Sequence, residues 1–153
     1  MRGARLKKSL GGQAKRRIDV RVGIDAGPIV GDRGGVGWHT YQLLRSMTGL
    51  REDIELVGYV GPGSLQDGVP KGWVDGGSIR WMESGRWTMP WRGRWDGLDL
   101  YHGTNFKMKT TGRYGGVVTI YDLWMDRYPQ YSPKLFGQLQ KSLVRVASSP
   151  LAV

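Results

Sequence analysis

Apolar and polar residues alternate from the point where the charged leading segment gives way to Ile18. Ile18, Val20, Val22 and Ile24 fall on one face and small or polar residues on the other, which predicts a strand of about seven residues. A glycine-rich stretch from Asp25 to Gly37 follows. The period then changes: Val36, Thr40, Leu43, Leu44 and Met47 share one face of a helix that stops near Gly49. Ile54 to Val60 reads as a second strand, closed by the turn signal Gly61-Pro62-Gly63. Ser78 to Met82 is a weaker third, and Leu98 to His102 a short fourth. Gly116 to Tyr121 holds Val117, Val118, Thr119 and Ile120, the kind of apolar run expected of a central parallel strand buried on both faces. Ser132 is placed as an N-cap with Pro133 at the first helical position. The helix that follows carries Leu135, Leu139, Leu143 and Val146 on one side and ends near Ser148-Ser149-Pro150. Strands alternating with helices predict an α/β fold, an open parallel sheet flanked by helices in the Rossmann-like manner.

Glu83 to Gly97 fits this scheme poorly. Trp87, Trp91 and Trp95 recur every four residues, yet Pro90 and Gly93 interrupt any helix. One reading inserts the indoles into a membrane interface beside Arg86, Arg92 and Arg94. The favoured reading has them covering the edge of the core, because large aromatics dominate burial.

Composition narrows the chemistry. The chain has 153 residues, enough for one domain with a real core. It has 25 glycines, more than twice the usual ~7%, set mainly between apolar runs as turns. The lack of cysteine excludes disulfides, thiol catalysis and thiolate metal sites, and His39 and His102 are too few for a histidine-rich zinc site. No apolar run approaches the ~20 residues of a membrane span, and none follows the charged leader as a secretory signal would require. The expected location is cytoplasmic, extending to peripheral contact with the inner face of the membrane. The net charge is +10, but seven cations and no acid lie in residues 1–17, leaving 16 cations against 13 acids, or +3, in residues 18–153. Residues 1–17 read as a basic disordered tail and residues 18–153 as the folded domain.

Three loops follow strands, where open α/β sheets bind ligands. The first runs through Asp25-Ala26-Gly27-Pro28 to Gly34-Gly35-Val36-Gly37 and enters the helix directly. Such a turn lets backbone N–H groups approach a phosphate, and the helix dipole favours the anion; the alternative is that its glycines merely make the turn. It is not a dinucleotide fingerprint, since Thr40 stands where the last glycine belongs, and no Gly-Lys-Ser/Thr makes it a P-loop. His39 reads as an exposed polar residue. The second loop is Tyr101-His102-Gly103-Thr104-Asn105-Phe106, where His102 could handle a proton or a substrate hydroxyl, or simply bond to backbone. The third is Thr119-Ile120-Tyr121-Asp122-Leu123, where Asp122 could hold a hydroxyl or cap the next turn.

In order, Val22-Gly23-Ile24-Asp25-Ala26-Gly27-Pro28, Gly34 to Tyr41, Leu98 to Phe106 and Val117 to Leu123, with Tyr128-Pro129 and the helix after Ser132, resemble the N-terminal domain of the family 4 glycosyltransferases, retaining enzymes of the GT-B fold. The resemblance covers roughly residues 18–147, and four motifs in the right order make it fairly specific. It implies one half of a GT-B enzyme that transfers a hexose, mannosyl or glucosyl in type, from a nucleotide sugar in polysaccharide or glycoconjugate synthesis. No metal or other cofactor is implied; the nucleotide sugar is substrate. By position, Gly34, Gly35, Val36 and Gly37 would form the donor-diphosphate loop, with charge stabilised by backbone amides. His102, Asn105, Tyr121 and Asp122 would line the acceptor side. The implied partners are the donor and a glycan or lipid-linked acceptor.

This chain departs from the pattern at Gly27 and Trp38, where family members often carry Arg, and at Tyr121, where His is common. Tyrosine, with a pKa near 10, is no base at neutral pH. The sequence stops at Val153, where the family would continue into its next strand and its donor-binding half, so the expectation is a chain without turnover by itself. The catalytic residues are not assigned. The alternative reading is a non-catalytic module binding a glycan or a partner, cued by the tryptophan-rich segment. Nucleic-acid binding through residues 1–17 is the third and weakest, given the small body charge.

Overall fold

The computed structural model describes residues 20–31, 33–50, 53–66, 72–73, 79–85, 88–108 and 114–148. The basic tail, Arg86 and Trp87 lie outside the described residues. Five strands form one all-parallel sheet: β1 (Val20–Asp25), β2 (Ile54–Val60), β3 (Ile79–Glu83), β4 (Leu100–Gly103) and β5 (Gly115–Val118), in the order β3-β2-β1-β4-β5. The chain steps outward from β1 to β3, then crosses back to place β4 on the other side of β1. That reversal makes a topological switch point between β1 and β4. The fold is Rossmann-like, as the alternating periods predict.

Side-chain alternation sorts the core into two faces. Val22, Ile24, Leu56 and Val60 meet Leu44 of α1 (Gly35–Met47) on one face, with Ile29 and Trp73 beside them. Each such aliphatic, fully buried, stabilises the fold by roughly 1.5–3 kcal/mol. The other face is aromatic. Tyr59, Tyr101 and Tyr114 pack there with Val57, Leu98 and Met108 beneath Met89 of α2 (Met89–Trp95) and Val146 of α4 (Pro133–Ala147). A single turn, α3 (Trp124–Arg127), joins β5 to the approach of α4.

β2 has the bounds its pattern gives, and α1 and α4 end where glycine and Ser-Pro signals place their ends, within a few residues. Three expectations are corrected. β5 is not central. It is a four-residue edge strand with Val117 41% exposed, and the apolar run beyond it leaves the sheet at Thr119. Nor do Pro90 and Gly93 break the helix at 89–95. Pro90 stands within its first two positions, where a missing N–H costs nothing. Gly93 leaves room for the Tyr114 ring, whose hydroxyl would sit 2.4 Å from a Cβ there. Finally, Trp91 and Trp95 do not cover the core edge: they are 64% and 79% exposed, because Met89 and Gly93 take the inward positions of this short helix.

Candidate functional site at the switch point

Both rims of the sheet carry polar clusters. At the N-terminal rim, charges meet charges. Arg21 Nε donates to Glu55 Oε2 at 2.6 Å, Arg80 Nε lies 3.3 Å from Glu55 Oε1, and Asp96 gathers Arg80 at 3.8 Å and Arg92 at 3.4 Å. Tyr59 donates its hydroxyl to Asp96 Oδ2 at 2.6 Å; burial, reinforced by that carboxylate, pushes its pKa far up. The backbone N–H of Arg21 reaches Asp99 Oδ2 at 2.7 Å.

The C-terminal rim is built differently. β1 ends at Asp25, which is buried and accepts the Gly27 N–H at 3.2 Å, and its carbonyl accepts the Thr104 hydroxyl at 2.6 Å, tying β1 to the loop after β4 across the switch point. The chain then makes a 3-10 turn at Gly27–Ile29 and enters α1 with Gly34 as N-cap. Its N-cap is a glycine, so no N-cap side chain gives the N–H groups of Gly35, Val36 and Gly37 the partner that a Ser or Asp there would supply. The glycines of the loop divide by function. A Cβ at Gly37 would stand 2.4 Å from the Pro28 carbonyl oxygen, so this glycine is what lets the loop close on the helix. Cβ atoms at Gly34 and Gly35 would meet nothing within 4 Å, and neither residue has a positive φ. Neither local strain nor packing within the described residues demands glycine at 34 or 35.

Under this helix start, β4 presents His102 on the α1 face. Its Nε2 is 2.8 Å from Thr119 Oγ1, just past the end of β5. Burial, and next the proximity of His39, lowers the His102 pKa, which keeps the imidazole neutral at pH 7. His39 is not an exposed polar residue. It is half-buried, its ring meets Tyr121 edge-on at 5.1 Å, and its Nδ1 is buried without a hydrogen-bond partner among the described residues. Tyr121 donates to the Thr104 carbonyl at 2.7 Å and lies beside the Thr40 hydroxyl; burial nevertheless raises its pKa, so it acts as a hydrogen-bonding phenol. Phe106 packs on the same ring at 5.4 Å and holds φ at 51°, a left-handed conformation that is rare for a bulky residue and concentrates near functional sites.

The structure therefore brings His102 and Tyr121 together around His39 and the start of α1. Asn105 is half-buried in the turn between Thr104 and Phe106. Asp122 takes the capping role of its two readings: its Oδ1 accepts the Trp124 N–H at 2.9 Å and starts α3. Thr119, Thr104 and His39 are contributors that sequence reasoning passed over. Threonine at a strand end has no distinctive signature, and the burial of His39 depends on a tyrosine far along the chain. Arg33 was passed over too: its guanidinium lies 4.4 Å over the Tyr41 ring and 5.5 Å from Trp38 while donating to the Gly72 carbonyl at 2.6 Å. Among the described residues, no three His, Cys, Asp or Glu side chains form a group able to hold a metal ion. None of the helices described is long and apolar enough to cross a membrane.

Together these features define a class: a parallel α/β domain whose switch-point rim sets hydrogen-bonding side chains beside a glycine-led helix start. Compared with known proteins, the chain matches no family model, no curated protein sequence and no solved structure.

Proposed function

We propose that this chain is the acceptor-side half of a retaining, nucleotide-sugar-dependent hexosyltransferase of the family 4, GT-B type, acting in polysaccharide or glycoconjugate synthesis in a cytoplasmic setting. The observation that supports this reading is the glycine-led start of α1 at the switch point, where His39 lies near His102 and, among the described residues, nothing stands within 4 Å of a Cβ at Gly34 or Gly35. In this reading the N–H groups of Gly35, Val36 and Gly37 take charge from the leaving diphosphate, without a side chain holding them at a distance. His102, kept neutral, orients an acceptor hydroxyl, with Thr119 holding its ring through Nε2. Tyr121 and Asn105 line the acceptor's path. A second α/β body facing the same rim supplies the nucleotide pocket.

The test is a titration of the isotope-labelled chain with GDP-mannose and UDP-glucose, alongside Gly35→Asp. Amide shifts at residues 34–39 on addition of one nucleotide sugar, lost in Gly35→Asp while the fold persists, are the expected result. Equal shifts in the variant, or none in either protein, would overturn the assignment.

A second reading, a glycan-binding module without catalysis, draws on the exposed rings of Trp124, Tyr128 and Tyr131 just past the rim; Trp124 and Tyr131 lie 6.1 Å apart at 29°. Aromatic faces of this kind stack on sugar rings. Shifts confined to α3 with a free mannose oligosaccharide, and none with nucleotide sugar, would favour it.

A further inference from the structure

α2 and α4 cover the same face of the sheet, and their outer surfaces share a composition. The sequence of α2 is Met-Pro-Trp-Arg-Gly-Arg-Trp; that of α4 carries Lys134, Lys141 and Arg145, and neither helix contains an acid. Asp96, just past α2, is only 11% exposed at its side chain and is held by Arg80 and Arg92. Outward from this layer stand Trp91 and Trp95, one helical turn apart, with Arg94 exposed between them. On α4, Val144 is 65% exposed and Lys134 and Lys141 are exposed with it. Apolar residues scattered singly on a surface need no explanation. Two indoles on successive turns, flanked only by cations, are a different pattern: it combines an apolar payload for the acyl boundary with cations for the headgroups.

We infer that the outer face of α2 and α4 docks on an anionic lipid surface, with Trp91 and Trp95 entering the headgroup–acyl boundary and Arg94, Lys134 and Lys141 against lipid phosphates. Charge complementarity selects this occupant. A second copy of the same face would set cations against cations, and an electrostatic partner without an apolar phase would leave both indoles in water. The inference stands on this surface alone and does not depend on the function of the switch-point rim.

The experiment floats the full chain with vesicles of phosphatidylcholine alone and of phosphatidylcholine mixed with phosphatidylglycerol. Brominated phosphatidylcholine serves as a depth-dependent quencher of indole fluorescence. The wild type is expected to float with the anionic vesicles, to be quenched by the bromolipid, and to release with added salt. Trp91→Ala/Trp95→Ala should lower the partition coefficient on the order of tenfold and lose most of the quenching. Arg94→Glu/Lys141→Glu should lower it by a comparable factor, with circular dichroism unchanged in both. Failure of the wild type to float would overturn the proposal. Equal flotation of the tryptophan variant, without quenching in either, would assign binding to the basic residues 1–17 instead. A wild-type dimer in sedimentation that this variant disperses, with no vesicle binding, would make the surface a contact between copies.

Discussion

The two rims of the sheet hold comparable numbers of polar side chains and treat them in opposite ways. At the N-terminal rim, three arginines are matched by Glu55 and Asp96 within a few ångströms, and the buried Tyr59 hydroxyl ends on the same carboxylate. Arg92 Nε, 3.4 Å from Asp96, is the exception: among the described residues it makes an ion pair without a hydrogen bond. At the C-terminal rim side chains hold backbone: Thr104 donates to the Asp25 carbonyl, Tyr121 to the Thr104 carbonyl, and the Asp25 and Glu83 carboxylates accept the N–H groups of Gly27 and Leu65. There α1 starts from a glycine N-cap and, among the described residues, His39 Nδ1 has no hydrogen-bond partner. Groups that satisfy one another stabilise; groups held in place but unsatisfied are available for binding. This difference supports the proposed site at the switch point more than any single residue does.

Substitutions should separate the rims by stability, and the largest effect belongs to the paired rim. Asp96→Ala removes the acceptor of Tyr59 and the partner of Arg80 and Arg92, leaving a buried hydroxyl orphaned. A loss of about 2 kcal/mol in urea unfolding is expected, below the fully buried case because Arg80 and Arg92 are 41% and 38% exposed. A loss under about 0.5 kcal/mol would mean the network contributes little. At the other rim, His102→Ala gives up the bond to Thr119 and some packing, for about 1 kcal/mol by the same measurement.

The pH dependence comes next. The folded His102 has a pKa below its ordinary 6.5, so the unfolded chain binds the proton more readily. Stability contributed by the neutral imidazole is therefore full above about pH 6.5 and declines as pH falls from there through the lowered folded value. The drop in melting temperature between about pH 7.5 and 5 should be smaller in His102→Gln than in the wild type. Equal slopes would remove His102 as its source.

The smallest effect has the opposite sign. Gly35→Ala meets no neighbour within 4 Å and enters a helix, so it should stabilise by about 0.5–1 kcal/mol while impairing ligand approach. Thermal melts and the nucleotide-sugar titration read the two effects separately, and destabilisation would show that this glycine is structural.

How much of this was legible in the sequence follows from how local each cause is. β2 and the start of α4 were readable because alternation, a Gly-Pro-Gly turn and a Ser-Pro start all act within a few residues. The place of β5 is not legible, because a run of Val-Val-Thr-Ile reports apolarity and not position, and its edge place follows from the strand order. α2 was hidden because the glycine that weakens it is the space Tyr114 needs. Of the rim, the glycine loop and His102 stood out by type and place. His39, Thr104 and Thr119 did not, since each acquires meaning only from a partner brought across the switch point.

The proposed function requires a diphosphate-bearing ligand at the C-terminal rim of the β1–β4 switch point and none at the N-terminal rim. Amide shift mapping with inorganic pyrophosphate, at fixed ionic strength, tests it most directly. Saturable shifts are expected at Gly34 to His39, His102 and Tyr121, with Arg21, Glu55, Arg80 and Asp96 unmoved. Shifts centred on the arginines of the N-terminal rim, or a linear drift without saturation across the whole chain, would contradict it.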